Sequence, residues 1–81
     1  MNNYPLVIVK WEDITGNNEP WLYIDDALDL ETAKMTTVGW VIKDRDDSIV
    51  IVSSLGDKKE VGDVNCIPKS VIQSMRIIEE S

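Results

Sequence analysis

Catalysis by side chains needs groups of the right type close enough to act together, and this chain of 81 residues carries few of them. With no histidine, neither a Ser-His nor a Cys-His nucleophile can be assembled, and no glycine-rich stretch has the spacing of a phosphate loop. The one cysteine, Cys66, stands between apolar neighbours with only Lys69 near in sequence, which favours a buried structural thiol over a reactive one. Adjacent carboxylates at Asp25/Asp26 and Asp46/Asp47 could hold a divalent cation. Such an ion needs convergent oxygens, however, and neighbours in a strand or turn point apart, so solvated turn carboxylates are expected, with no metal and no cofactor.

The residue types suit recognition better than reaction. Trp21 follows Pro20 in a loop, and with Tyr23, Asp25, Asp26 and Asp29 it makes an aromatic and acidic cluster fit to dock on a basic partner surface or a second subunit. Trp11 and Trp40 lie in apolar runs and read as core or as cover for the loop. A second candidate group joins Trp40 to Lys58, Lys59, Lys69 and Arg76 across a subunit boundary, where Thr36, Thr37, Ser53 and Ser54 would line a pocket for a small, nucleotide-like ligand. The plain alternative for those hydroxyls is an ordinary strand face.

Whole-chain totals restrict the partners. There are 15 acidic residues against 8 basic ones, a formal charge of −7, so the surface repels phosphate backbones and anionic membranes and nucleic-acid binding is not expected. The longest early apolar run, Leu6 to Val9, is too short for a membrane span or a signal peptide, and a single cysteine permits no internal disulfide. A soluble protein of the cytoplasm is the expectation. A chain of this length buries only about 60–65% of its unfolded surface, enough for one domain over residues 1–81.

The elements that must position these groups are mostly strands. The apolar fraction of 43% is weighted to Ile and Val with no Phe at all. Leu6 to Trp11 after Pro5 reads as a first strand, apolar on both faces, so that one face meets the core and the other needs a loop or another subunit to cover it. A turn cluster, Thr15 to Pro20, opens a long loop, in which Asp25 or Asp26 caps a short helix through Ala27, Leu28, Leu30 and Ala33 that must pack on the body to persist. Thr36 to Asp44 and Ser48 to Ser54 form a hairpin over Arg45-Asp46-Asp47, with Gly39 marking a bulge or a close backbone approach. Val61 to Ile67 makes a fourth strand. Pro68 ends it, Lys69-Ser70 turns once, and Val71 to Ile78 supplies a fifth strand or, on its apolar spacing, a helix.

The step "CIPKSVI" resembles the Ile-Pro, helical turn and final strand of SH3-like barrels, to which Sm-like barrels are related. The whole chain resembles a group of small proteins of tailed bacteriophages, through Trp11-Glu12-Asp13, Trp21 with Asp25 and Asp26, Thr37-Val38-Gly39-Trp40, Asp44 to Asp47, and Ile67-Pro68-Lys69. The chain lacks the Ala-Leu-Tyr-type opening of peptide-binding SH3 domains. The resemblance implies an all-β, five-stranded SH3-like barrel of phage origin with a binding role. On that basis the expected function is non-enzymatic: blocking or sequestering a host bacterial protein, such as a defence component, with a homo-oligomeric small-molecule binder or a virion accessory protein as alternatives.

Overall fold

The computed structural model describes residues 4–13 and 20–79; most of the turn cluster before Trp21 lies outside them. In chain order the elements are β1 (Leu6–Asp13), α1 (Ile24–Leu28), β2 (Ala33–Asp44), β3 (Ser48–Leu55), β4 (Val61–Pro68), a 3-10 turn (Lys69–Val71) and β5 (Ile72–Glu79). The five strands form one antiparallel sheet in the order β4-β3-β2-β1-β5. The final segment is therefore a strand, and its helical spacing lost to the pairing that β1 offers.

A single long strand bends the sheet. From Ala33 to Trp40, β2 pairs with β1, and from Trp40 to Asp44 it pairs with β3, so the strand changes partner at Trp40. Gly39 sits at that corner. A Cβ there would fall on the carbonyl of Val52, 2.9 Å from its carbon, which makes Gly39 a site of close backbone approach rather than a bulge.

The bend lets two short sheet halves share one small core. Val7, Val9, Val41, Ile49, Ile51 and Ile67 are buried together, with Trp11, Val71 and Ile72 packed against them. The half-buried Trp11 donates its Nε1–H to Thr37 Oγ1 at 3.0 Å, which settles its polar atom while the ring covers the core. Both hydroxyl-bearing segments read as strand faces behave as such: Ser53 Oγ donates to the Val38 carbonyl at 3.0 Å, where β2 and β3 separate.

Pro68 closes β4 at an extended backbone geometry, and the chain then makes one 3-10 turn before β5. That turn is tied to the β2–β3 hairpin tip. The Lys69 amide donates to the Asp47 carbonyl at 2.8 Å, and Lys69 Nζ lies 2.6 Å from Asp44 Oδ1. Both partners of the ion pair are well exposed, so the backbone bond fixes the turn more firmly than the charge does.

Two features depart from the expected closed barrel. β4 and β5 are the two ends of the strand order, and no ladder joins them among the described residues. In consequence Met75 and Ile77, paired with the buried Val9 and Val7 and so on the inner side of the sheet, stay exposed on β5. The protein is also elongated. Its radius of gyration is 16.0 Å with extents of 52 × 25 × 20 Å, against about 12 Å for a compact chain of this length.

The β3–β4 turn carries avoidable strain. The Gly56 amide donates to the Glu60 carbonyl at 2.8 Å, and between them Lys59 adopts a φ of 67°. A left-handed non-glycine residue costs about 1–2 kcal/mol, and glycine gives back about 0.5–1 kcal/mol through its larger unfolded-state entropy. Lys59→Gly is therefore expected to stabilise the fold by about 0.5–1 kcal/mol. A rise in the urea midpoint at constant slope would show it; no rise would place the strain elsewhere.

Candidate docking site

The long β1–β2 pairing ends at Asp13 opposite Ala33, and among the described residues between the two strands, 20–32, which make an arm, none is buried. Within the arm, the N-cap of α1 is Tyr23, two residues before Asp25 and three before Asp26, the caps expected from sequence. Tyr23 occupies the N-cap without a side-chain cap bond, while Asp25 and Asp26 lie in the first turn, where the helix dipole favours them. The helix ends at Leu28, and Ala33 belongs to β2, because pairing with Asp13 extends that strand backwards.

The expected packing of this helix on the body does not occur. None of the residues of α1 is buried. Trp21 is 87% exposed, Tyr23 84%, and Ile24 and Leu28, one turn apart on the same face, 76% each. Five residues of helix with no buried side chain are far below the length that is stable alone in water. Trp21, Leu22, Tyr23 and Asp26 line an open cleft of about 490 Å³ on this arm. Of the cluster expected from sequence, Trp21, Tyr23 and Asp26 line this cleft, while Asp25 and Asp29 are exposed and do not line it; Glu31 is exposed as well.

At the arm's base a carboxylate is held in place. Glu12 Oε2 accepts from Thr32 Oγ1 at 3.0 Å, and its other oxygen accepts from the Gln73 amide, joining the start of β2 to β1 and β5. Sequence gave no hint of this, because Glu12 reads as an ordinary strand-end charge and its partners lie 20 and 61 residues away.

The second group of candidate residues is spread across the body. Lys58 and Lys59 occupy the turn before β4, whereas Lys69 follows the far end of that eight-residue strand. At about 3.4 Å per residue the two ends are about 25 Å apart, and Lys69 is already engaged by Asp44. Arg76 is on β5 opposite Ile8, and Trp40 is half-buried on β2. One copy of the chain does not gather them. Cys66 departs from expectation more sharply: it is exposed on the end strand β4, because its register opposite Val50 turns it away from Ile49 and the core, and Arg45 Nη1 lies 3.9 Å from its sulfur.

The outward face of the sheet holds an apolar row that sequence only partly announced. Leu6 pairs with Trp40, Trp40 with Val52 and Val52 with Val64, so four apolar side chains cross four strands on the face opposite the core. Ile8 and Val38 form the next pair. Val52 is fully buried, while Val38 and Val64 are 48% and 54% exposed. Leu6, Ile8 and Trp40 are half-buried, so the row is partly covered by its own members, and only Val38 and Val64 in it are well exposed.

No group of three or more His, Cys, Asp or Glu side chains is placed to hold a metal ion among the described residues, and no helix among them is long and apolar enough to cross a membrane. No protein-family model, curated protein or solved structure matches the chain.

Proposed function

We propose that this is a phage-encoded, non-enzymatic binding protein that blocks or sequesters a protein of the host cytoplasm, built on an SH3-like scaffold and acting through its arm. The observation that carries the reading is the exposure of Trp21 and Tyr23 just before a helix, and of Ile24 and Leu28 on it, with none of its residues buried. Water penalises such a surface, and aromatic anchors of this kind dominate binding energy where they are buried at an interface. The scaffold reading is supported by four consecutive strands bent at Gly39, followed by an Ile-Pro step, a 3-10 turn and a last strand returning beside β1. The phage reading rests on the short motifs from Trp11-Glu12-Asp13 to Ile67-Pro68-Lys69.

The arm selects a partner by charge as well as by shape. Asp25, Asp26, Asp29 and Glu31 are exposed in the same short segment as the apolar residues, so the complementary surface is apolar and basic, and steering by the acids speeds encounter more than it tightens the final complex. The test is capture of host proteins by immobilised wild type and by the triple variant Trp21→Ala, Asp25→Lys, Asp26→Lys. Loss of a hot-spot aromatic together with charge reversal is expected to weaken the specific partner by at least about 30-fold. Unchanged capture by the variant would reject the arm as the docking element.

A further inference from the structure

The arm has a complement on the same molecule. Beside the outward row Leu6, Trp40, Val52 and Val64, the register places basic residues on the same face: Arg76 opposite Ile8, Lys10 opposite Thr36 and Ser74, and Lys43 opposite Val50. All three are exposed. The register adds Lys34 opposite Glu12, and Glu79 opposite Leu6, so in a chain of charge −7 this face is still net basic around its apolar residues, which suits an apolar, acidic arm.

The arm of the same chain leaves that face open. Its Trp21, Tyr23, Ile24 and Leu28 are all exposed, and so open to the face of a second copy. We infer that two copies of this chain form a two-fold dimer in which the arm of each, from Trp21 to Leu30, covers the outward sheet face of the other, with Asp25, Asp26 and Asp29 against Lys10, Lys43 and Arg76. The inference rests on reading the arm as a docking element and names the partner it engages first.

Three properties favour a second copy over an unrelated occupant. Arm and face occur once per chain, so a reciprocal exchange satisfies both on both molecules and closes without leaving an open surface. Each arm brings a Trp and a Tyr, with about 150–250 Å² of burial apiece, and two such contacts with their aliphatic neighbours and the matching faces reach the about 1,200–2,000 Å² of a stable complex. The charge match also turns a locally repulsive assembly of two acidic chains into an attractive one. A host protein with a basic-rimmed apolar patch would then bind by displacing a copy of the chain itself.

Sedimentation equilibrium over a range of concentrations tests this with four samples: wild type, an arm variant (Trp21→Ser, Leu28→Ser), a face variant (Lys10→Glu, Arg76→Glu), and an equimolar mixture of the two variants. Every substituted residue is exposed, so thermal unfolding monitored by circular dichroism controls for the fold. The wild type is expected to dimerise, each variant alone to dimerise at least tenfold more weakly, and the mixture to recover heterodimers, because one arm-to-face contact in it remains intact. A monomeric wild type, a face variant that dimerises like wild type, or a mixture no better than its components would overturn the exchange. Host-protein capture by wild type and arm variant separates the two readings. A monomer that still captures its partner through the arm sinks the dimer alone, and a dimer whose capture ignores the arm sinks the inhibitor reading alone.

Discussion

Gly39→Ala is expected to lower the free energy of unfolding by about 3 kcal/mol, the cost of forcing atoms into a packed site that cannot move aside. Elsewhere in a strand the same change would help, since alanine restricts the unfolded chain and gains about 0.4–1 kcal/mol. The sign reverses because of what the methyl group meets. It would fall on the backbone carbonyl of Val52 and lie 3.1 Å from Cγ1 of Ile51, and a carbonyl held in the sheet cannot rotate away as a side-chain tip can. Relief requires β2 and β3 to part at the corner where β2 changes partner, which is also where Ser53 Oγ holds the Val38 carbonyl. For a domain of this size 3 kcal/mol corresponds to a loss of about 12–24 °C in Tm, to be read by calorimetry or by urea unfolding. A Tm within about 3 °C of wild type would mean that the corner is softer than the geometry indicates.

The fold was legible from sequence where local chemistry decides it. Pro68 cannot donate to a ladder, and Gly39 has no side chain, so the end of β4, the 3-10 turn and the corner of β2 follow from residue types alone. The last segment was ambiguous between strand and helix because Val71, Ile72, Met75 and Ile78 satisfy both spacings; only pairing with β1, more than 60 residues earlier, resolves it. For the same reason the length of β1 and β2 was underestimated. Ala33, Lys34, Glu12 and Asp13 carry no strong strand preference, and the extension comes from the ladder that joins Asp13 to Ala33.

The candidate site was legible in composition and misjudged in packing. Trp21, Tyr23 and Asp26 line one cleft, since they are close in sequence, while Asp25 and Asp29 are exposed without lining it. A helix of about eight residues was expected to lie against the body because it is marginal unaided, yet the helix has five residues and its apolar side chains are solvent-exposed. That conflict between a general rule and this molecule is what directs attention to a partner. Cys66 shows the opposite failure. Apolar neighbours suggested burial, but in a strand successive residues face opposite sides, so the burial of Ile67 itself places Cys66 outside.

Shortening Ile51 to alanine is expected to cost about 3–4 kcal/mol, within the range for aliphatic truncation in a packed interior. Ile51 is fully buried at the junction of the two sheet halves, paired with Val41 on β2 and Asn65 on β4. The core around it is only six residues, all of them Val or Ile, whose branched side chains have few alternative rotamers with which to fill a void. The contrasting substitution is Trp21→Ala. It removes a far larger side chain, yet one that is 87% exposed, and it should leave stability within about 0.5 kcal/mol of wild type. Measured together, the two variants divide the apolar residues of this chain into those that hold the fold and those held out from it. If Trp21→Ala cost as much as Ile51→Ala, the arm would be packed in solution and its apolar face would belong to the core; if it cost nothing while partner binding fell, that face exists to be buried by another molecule.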